Sequence, residues 1–112
     1  MKLTELIESL GLEVLTAGTN LDAEVTTGYV SDLLSDVIAN VEEGSVWITI
    51  QRHINILGVA KLKEVAAIIV PRGLQVENEV IEKAVQEDIT ILRSRENSFE
   101  ISGRLYNVLQ GK

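Results

Sequence analysis

The chain holds one histidine and one tryptophan, near the two ends of the stretch Val46-Trp-Ile-Thr-Ile-Gln-Arg-His-Ile-Asn55. Imidazole is the side chain best able to exchange a proton near neutral pH. Beside His53, Gln51 and Asn55 supply amide groups and Arg52 a guanidinium. Further along stand the other groups that could hold an oxyanion: the hydroxyls of Thr26, Thr27 and Ser94, the turn at Gly28, and the guanidinium groups of Arg72, Arg93 and Arg95. Together they suit phosphate or carboxylate oxygens, with arginine giving two parallel contacts. They do not form a catalytic set. No nucleophile can be set beside a base from spacing alone, so no residue is assigned a catalytic role. Asp32 and Asp36 lie four apart and could share a cation, but two solvated carboxylates on an acidic helix is the better reading. Cysteine is absent, which excludes thiolate chemistry and disulfides. One histidine leaves a conventional zinc site short of ligands. Neither cofactor nor metal is expected.

These groups need a scaffold, and hydrophobic periodicity supplies one. Leu3, Leu6, Ile7 and Leu10 predict a helix over 3–10, stopped by Gly11. Residues 13–16 read as a brief strand and 24–27 as another, ending in Gly28. A helix is predicted over 30–41, with Ser31 or Asp32 at its start. The run 46–50 reads as a strand buried on both faces. A short helix with Gly58 in its middle follows; that glycine costs about 1 kcal/mol of helix propensity and suggests a close backbone neighbour or an irregular segment. Residues 65–70 form the most apolar strand, cut off by Pro71 and Gly73. A surface helix over 76–87, a strand over 89–92 and a terminal helix capped by Asn97 or Ser98 complete the chain.

Short strands alternating with helices predict an α/β fold. It is expected to be a three-layer α/β/α sandwich with a mostly parallel sheet of about five short strands. The carboxyl ends of parallel strands are where such sheets hold ligands. If the strands end near Thr27, Ile50, Val70 and Leu92, then Thr26–Gly28, Gln51–Asn55, Pro71–Gly73 and Arg93–Arg95 gather along one rim. The expected ligand-binding residues are therefore Thr26, Thr27, Gly28, Gln51, His53, Asn55, Arg72, Ser94 and Arg95.

With 112 residues, residues 1–112 are expected to form a single domain. The formal charge is −7, and the ten basic residues are scattered with no run among them, which argues against nucleic acid. No apolar run is long enough for a membrane span, and no signal peptide is apparent; a cytoplasmic protein with its start intact is expected. A hydrophobic content of 46% is high for so small a chain, and its excess suits self-association as a two-fold dimer. Trp47 is read as core or dimer interface. His53 is read as a hydrogen-bonded histidine at a strand end or an interface, with ligand contact as the alternative.

Three stretches carry a family resemblance: Gly28-Tyr-Val-Ser-Asp-Leu-Leu-Ser-Asp-Val37, Val46 to Asn55, and Phe99-Glu-Ile-Ser-Gly-Arg-Leu-Tyr106. They resemble the small stand-alone proteins of the DRTGG domain family. The naming string itself is absent, and Val70-Pro-Arg-Gly73 stands where many members have a more glycine-rich turn. The resemblance implies an α/β domain similar to the N-terminal domain of HPr kinase/phosphorylase and, more distantly, to N-terminal domains of Mur ligases. It also implies an associating or regulatory unit and brings no catalytic residues. The expectation is a non-catalytic, homodimeric regulatory or scaffolding module for a protein partner, binding a small anionic or nucleotide-like ligand. The alternative is an enzyme or enzyme subunit acting on a phosphorylated or nucleotide substrate through His53 and an arginine.

Overall fold

The computed structural model describes residues 1–111. Helix α1 (Leu3–Leu10) buries Leu3, Leu6 and Leu10, the spacing of one helical face. Gly11 ends it at φ 63°, in the left-handed region where a Cβ would be penalised. The two-residue strand β1 (Glu13–Val14) follows. After a long connection the chain alternates regularly: β2 (Thr27–Val30), α2 (Leu34–Asn40), β3 (Ser45–Ile48), α3 (Asn55–Lys63), β4 (Ala67–Val70), α4 (Asn78–Gln86), β5 (Ile91–Arg93) and α5 (Ser98–Leu109).

The sheet order is β1-β5-β4-β3-β2. Strands β2 to β5 are parallel, and β1 runs antiparallel to β5, so the expected three-layer α/β architecture is present with a mixed sheet. Each crossover from β2 to β5 steps one place in the same direction. Right-handed connections then put α2, α3 and α4 on one face. Side-chain alternation agrees: Trp47, Ile68, Val70 and Ile91 pack with those helices, whereas Val46, Ile48, Ala67, Ile69 and Leu92 pack with α1 and α5. Strands β3 and β4 are buried throughout, which explains their unbroken apolar runs.

Three expectations need correction. Pairing of the second strand begins at Thr27 opposite Ser45 and runs to Val30 opposite Ile48, so the strand starts where the sequence suggested it would end. Residues just before it are held otherwise: Val25 donates its N–H to the Met1 carbonyl, 2.8 Å, and Thr26 to that of Gly44, 3.0 Å. Helix α2 consequently starts late, at Leu34, and Leu33 rather than Ser31 or Asp32 occupies its N-cap. Lastly, Gly58 has no atom of a neighbouring segment within 4 Å of an added Cβ, and α3 runs through it without a break. Neither a close backbone nor an irregular helix explains that residue within the chain.

Candidate functional site

The carboxyl ends of β2 to β5 form a rim with two unlike halves. Over β2 and β3 the polar groups satisfy one another. Asp32 Oδ1 accepts from the Thr49 hydroxyl and from the Ile50 N–H, both at 2.9 Å. Its carbonyl accepts from Gln51 Nε2 at 2.9 Å, and the Gln51 N–H donates to Thr49 Oγ1 at 3.1 Å. Thr49 is buried, so its hydroxyl needs that carboxylate. Gln51 is thereby committed to bracing two strand ends. Arg52 is committed too, donating through Nη1 to the Gln75 carbonyl at 2.7 Å. His53 is exposed; its Nδ1 accepts from the N–H of Asn55, the first residue of α3, at 3.3 Å. That contact serves the helix start, whose amides lack internal partners.

Over β4 and β5 the rim opens. A cleft of about 720 Å³ runs between the end of α1, the loops after β4 and β5, and α5. Its charged lining is Arg93, Arg95 and Arg104 against Glu13 and Glu96. A cationic excess here stands out in a chain of net charge −7. The loops are tied together beneath it: Gly73 donates to the Ser94 carbonyl at 2.7 Å, and Arg72 N–H to that of Glu96 at 2.8 Å. The buried Ser94 hydroxyl accepts from Glu96 N–H at 3.1 Å, fixing the turn that projects Arg95. Arg93 grips Glu13 with two prongs, Nε to Oε1 at 3.0 Å and Nη2 to Oε2 at 3.1 Å. Arg104 pairs with Glu96 and reaches the Ser9 carbonyl at 3.4 Å, beside the electronegative end of α1. Arg95 is exposed and enters no ion pair among the described residues, so it is free to meet an anion.

The residues expected to bind ligand are thus divided. Ser94 and Arg95 line the cleft. Arg72 sits beside it in a left-handed conformation, φ 57°, and is tied to it through its backbone. Gln51, His53 and Asn55 occupy the same rim over β3 but do not line the cleft. Thr26, Thr27 and Gly28 are displaced by the strand correction to the opposite, amino end of β2. There Thr26 Oγ1 donates to the Glu43 carbonyl at 2.9 Å. Gly28 lies under α5: an added Cβ would lie 2.8 Å from Leu105 Cδ2, so a larger residue there would make that side chain turn aside. Trp47, weighed as an interface residue, is wholly buried and donates its indole N–H to the Ser31 carbonyl at 2.9 Å; it has no surface to offer a partner. Among the described residues no cluster of three His, Asp or Glu side chains is placed to hold a metal ion.

Sequence reasoning missed Glu13, Glu96 and Arg104. Glu13 meets Arg93 only through the antiparallel pairing of β1 with β5, which no local pattern announces. Arg104 carried a signal. Asn97 caps α5, accepting from Glu100 N–H at 2.9 Å while Glu100 Oε1 accepts from Asn97 N–H at 3.2 Å. That capping box fixes the helix start and brings residue 104 back over Glu96.

The class the structure defines is a small α/β domain with a mixed five-stranded sheet and a polar cleft beyond the carboxyl ends of β4 and β5. Residues 5–108 match the DRTGG domain family, and the chain belongs to it. The fold is similar to that in the crystal structure of the CBS and DRTGG domains of the regulatory region of Clostridium perfringens pyrophosphatase, complexed with its activator diadenosine tetraphosphate. The TM-score is 0.71 at 20% identity, over 93% of this chain and 45% of that one. The present chain therefore spans less than half of that regulatory region. No curated protein sequence matches the chain.

Proposed function

We propose that the chain is a non-catalytic regulatory module that binds a small anionic or nucleotide-like ligand in the β4–β5 cleft and works as a homodimer alongside a protein partner. The observation that carries this reading is the convergence of Arg93, Arg95 and Arg104 on one cleft at the carboxyl rim of a parallel sheet. Membership of the DRTGG family supports it, as does likeness to a domain found within a regulatory region that responds to a dinucleotide. The similarity to the N-terminal domain of HPr kinase/phosphorylase and the stand-alone character of the chain belong to the same proposal, resting on the residue strings around Gly28 and Trp47. A cytoplasmic setting belongs to the same proposal. Among the described residues, no helix is long and apolar enough to cross a membrane.

The enzyme alternative draws no support from the site. Ser94, the hydroxyl at the cleft, is buried and occupied, and His53 stands outside the cleft. Calorimetric titration of the protein with ATP, ADP and simple phosphate esters tests the binding reading. We expect saturable binding that weakens with salt, and a loss of about tenfold or more in Arg95→Ala, as expected for removing a charged hydrogen-bond donor. No heat and no thermal shift with any of these anions would count against it.

A further inference from the structure

We infer that the groove between α5 and the free edge of β2 is the surface on which a second copy of this chain docks. This rests on the homodimer reading above and gives it a place. The topology leaves the groove open. Three crossover helices cover one face of the sheet, whereas the other is covered only by α1 and α5, which come from the two ends of the chain. Helix α5 starts beyond the carboxyl end of β5 and reaches β2 where Leu105 meets Gly28, near its amino end. Between that helix and the strand a groove of about 250 Å³ runs the length of β2, from Thr26 and Gly28 to Val30, with Ser102, Tyr106 and Leu109 on the helix side.

The residues around it are too apolar for solvent. Phe99 is 88% exposed, Tyr106 64% and Val30 52%, and Phe99 and Tyr106 lie seven apart, on one side of α5. The two rings alone offer on the order of 300 Å², a substantial part of the roughly 800 Å² per partner that a stable pair buries. Val30 belongs to β2, the last strand of the sheet, whose outer edge has no neighbouring strand. Open edges are rarely left unprotected.

Charge selects the occupant. No residue lining the groove carries a charge at pH 7, although 24% of the chain is charged and its net charge is −7. Two copies with that net charge repel one another over most of their surfaces. An uncharged groove beside a strand edge, with Tyr106 in its wall and the exposed Phe99 ring on the same side of α5, is where they can meet with the fewest like charges opposed. A two-fold arrangement suits it, because each copy supplies both the protruding rings and the groove that receives them.

Light scattering on size-separated protein at tens of micromolar tests the assignment, with circular dichroism confirming each variant's fold. Wild type is expected at twice the chain mass of 12.3 kDa. Phe99→Glu and Tyr106→Glu should shift it to a single chain. Leu62→Glu, at an exposed leucine on α3, should leave it paired. Because the chain has no cysteine, Tyr106→Cys provides a second measure: mild oxidation should give a covalent pair in good yield. A monomeric wild type would overturn both the dimer and its surface. A dimer that survives both α5 substitutions, or that Leu62→Glu breaks instead, would overturn the surface and leave the dimer reading standing.

Discussion

Asp32 shows how one carboxylate can look like a ligand group and serve as a strut. Its side chain accepts from a buried threonine hydroxyl and from a backbone amide of the next loop, both at 2.9 Å. Replacing it by alanine strands the Thr49 hydroxyl in a dry place. We expect Asp32→Ala to lower unfolding free energy by about 1–3 kcal/mol in urea titration, with anion binding in the distant cleft little changed. A second carboxylate group of interest lies at the opposite rim. Glu64 is pushed above its ordinary value of 4.5 chiefly by a hydrogen bond shared with Glu43, then by the charge of Glu43. Its carboxyl is therefore easier to keep protonated folded than unfolded. The contribution to stability is fully present below about pH 4.5 and is lost as pH rises through the raised value. Glu87 acts in the opposite sense: hydrogen bonding to Lys61, and then the charges of Lys61 and Lys83, hold it low, so its contribution is lost as pH falls. In Glu43→Gln the Glu64 effect should vanish. Wild-type urea midpoints should fall as pH rises from about 4 toward neutrality by an amount the variant does not show, so the gap between the two curves changes across that range; parallel curves would refute the pairing.

At the scale of elements, α3 has a glycine that its own chain does not require. Gly58 lies mid-helix, its φ is not positive, and no neighbouring segment stands within 4 Å of an added Cβ. Gly58→Ala should therefore stabilise the protein by about 0.5–1 kcal/mol, through helix propensity and a less free unfolded chain, seen as a raised melting temperature. Loss of stability would mean that something outside the chain approaches that helix. Helix α5 contrasts with it. Leu105 fastens it to Gly28, Arg104 turns one flank toward the cleft, and Phe99 and Tyr106 crown another. The proposed ligand cleft and the proposed docking surface thus share one twelve-residue helix, through which ligand occupancy would bear on association.

At the scale of the molecule, the architecture was legible because it depends on local periodicities: β-branched runs at 46–50 and 65–70, and apolar stripes at helical spacing between them. What local patterns could not convey were the nonlocal terms. Residues 24–27 are as β-prone as 27–30, and only the register with β3 decides between them. That slip carried Thr26, Thr27 and Gly28 to the wrong end of the sheet. Half of the cleft was legible, in Ser94 and Arg95 at the end of β5. Its other wall, from Leu10 to Glu13 and Arg104, comes from elements distant in sequence that tertiary packing alone assembles. Trp47 was ambiguous for a different reason, since an indole needs one acceptor wherever it lies, and here the Ser31 carbonyl provides it inside the core.

The antiparallel β1 has a bearing on how the chain comes to be folded during its synthesis. Its partners are among the last residues made: Glu13 and Arg93 stand 80 positions apart, and Thr16 holds the N–H of Ile91 across 75. At ribosomal rates of about 5–20 residues per second, the first helix emerges roughly 4–16 seconds before the strand and helix that receive it. Throughout that interval Leu3, Leu6 and Leu10 lack the part of their core that Leu92, Ile101 and Leu105 supply. The four parallel strands can assemble stepwise, each beside the one before. The segment from α1 to β1 completes its packing only by closing a long loop onto β5 and α5, so a part of the chain made before the parallel strands is fully fastened only after them.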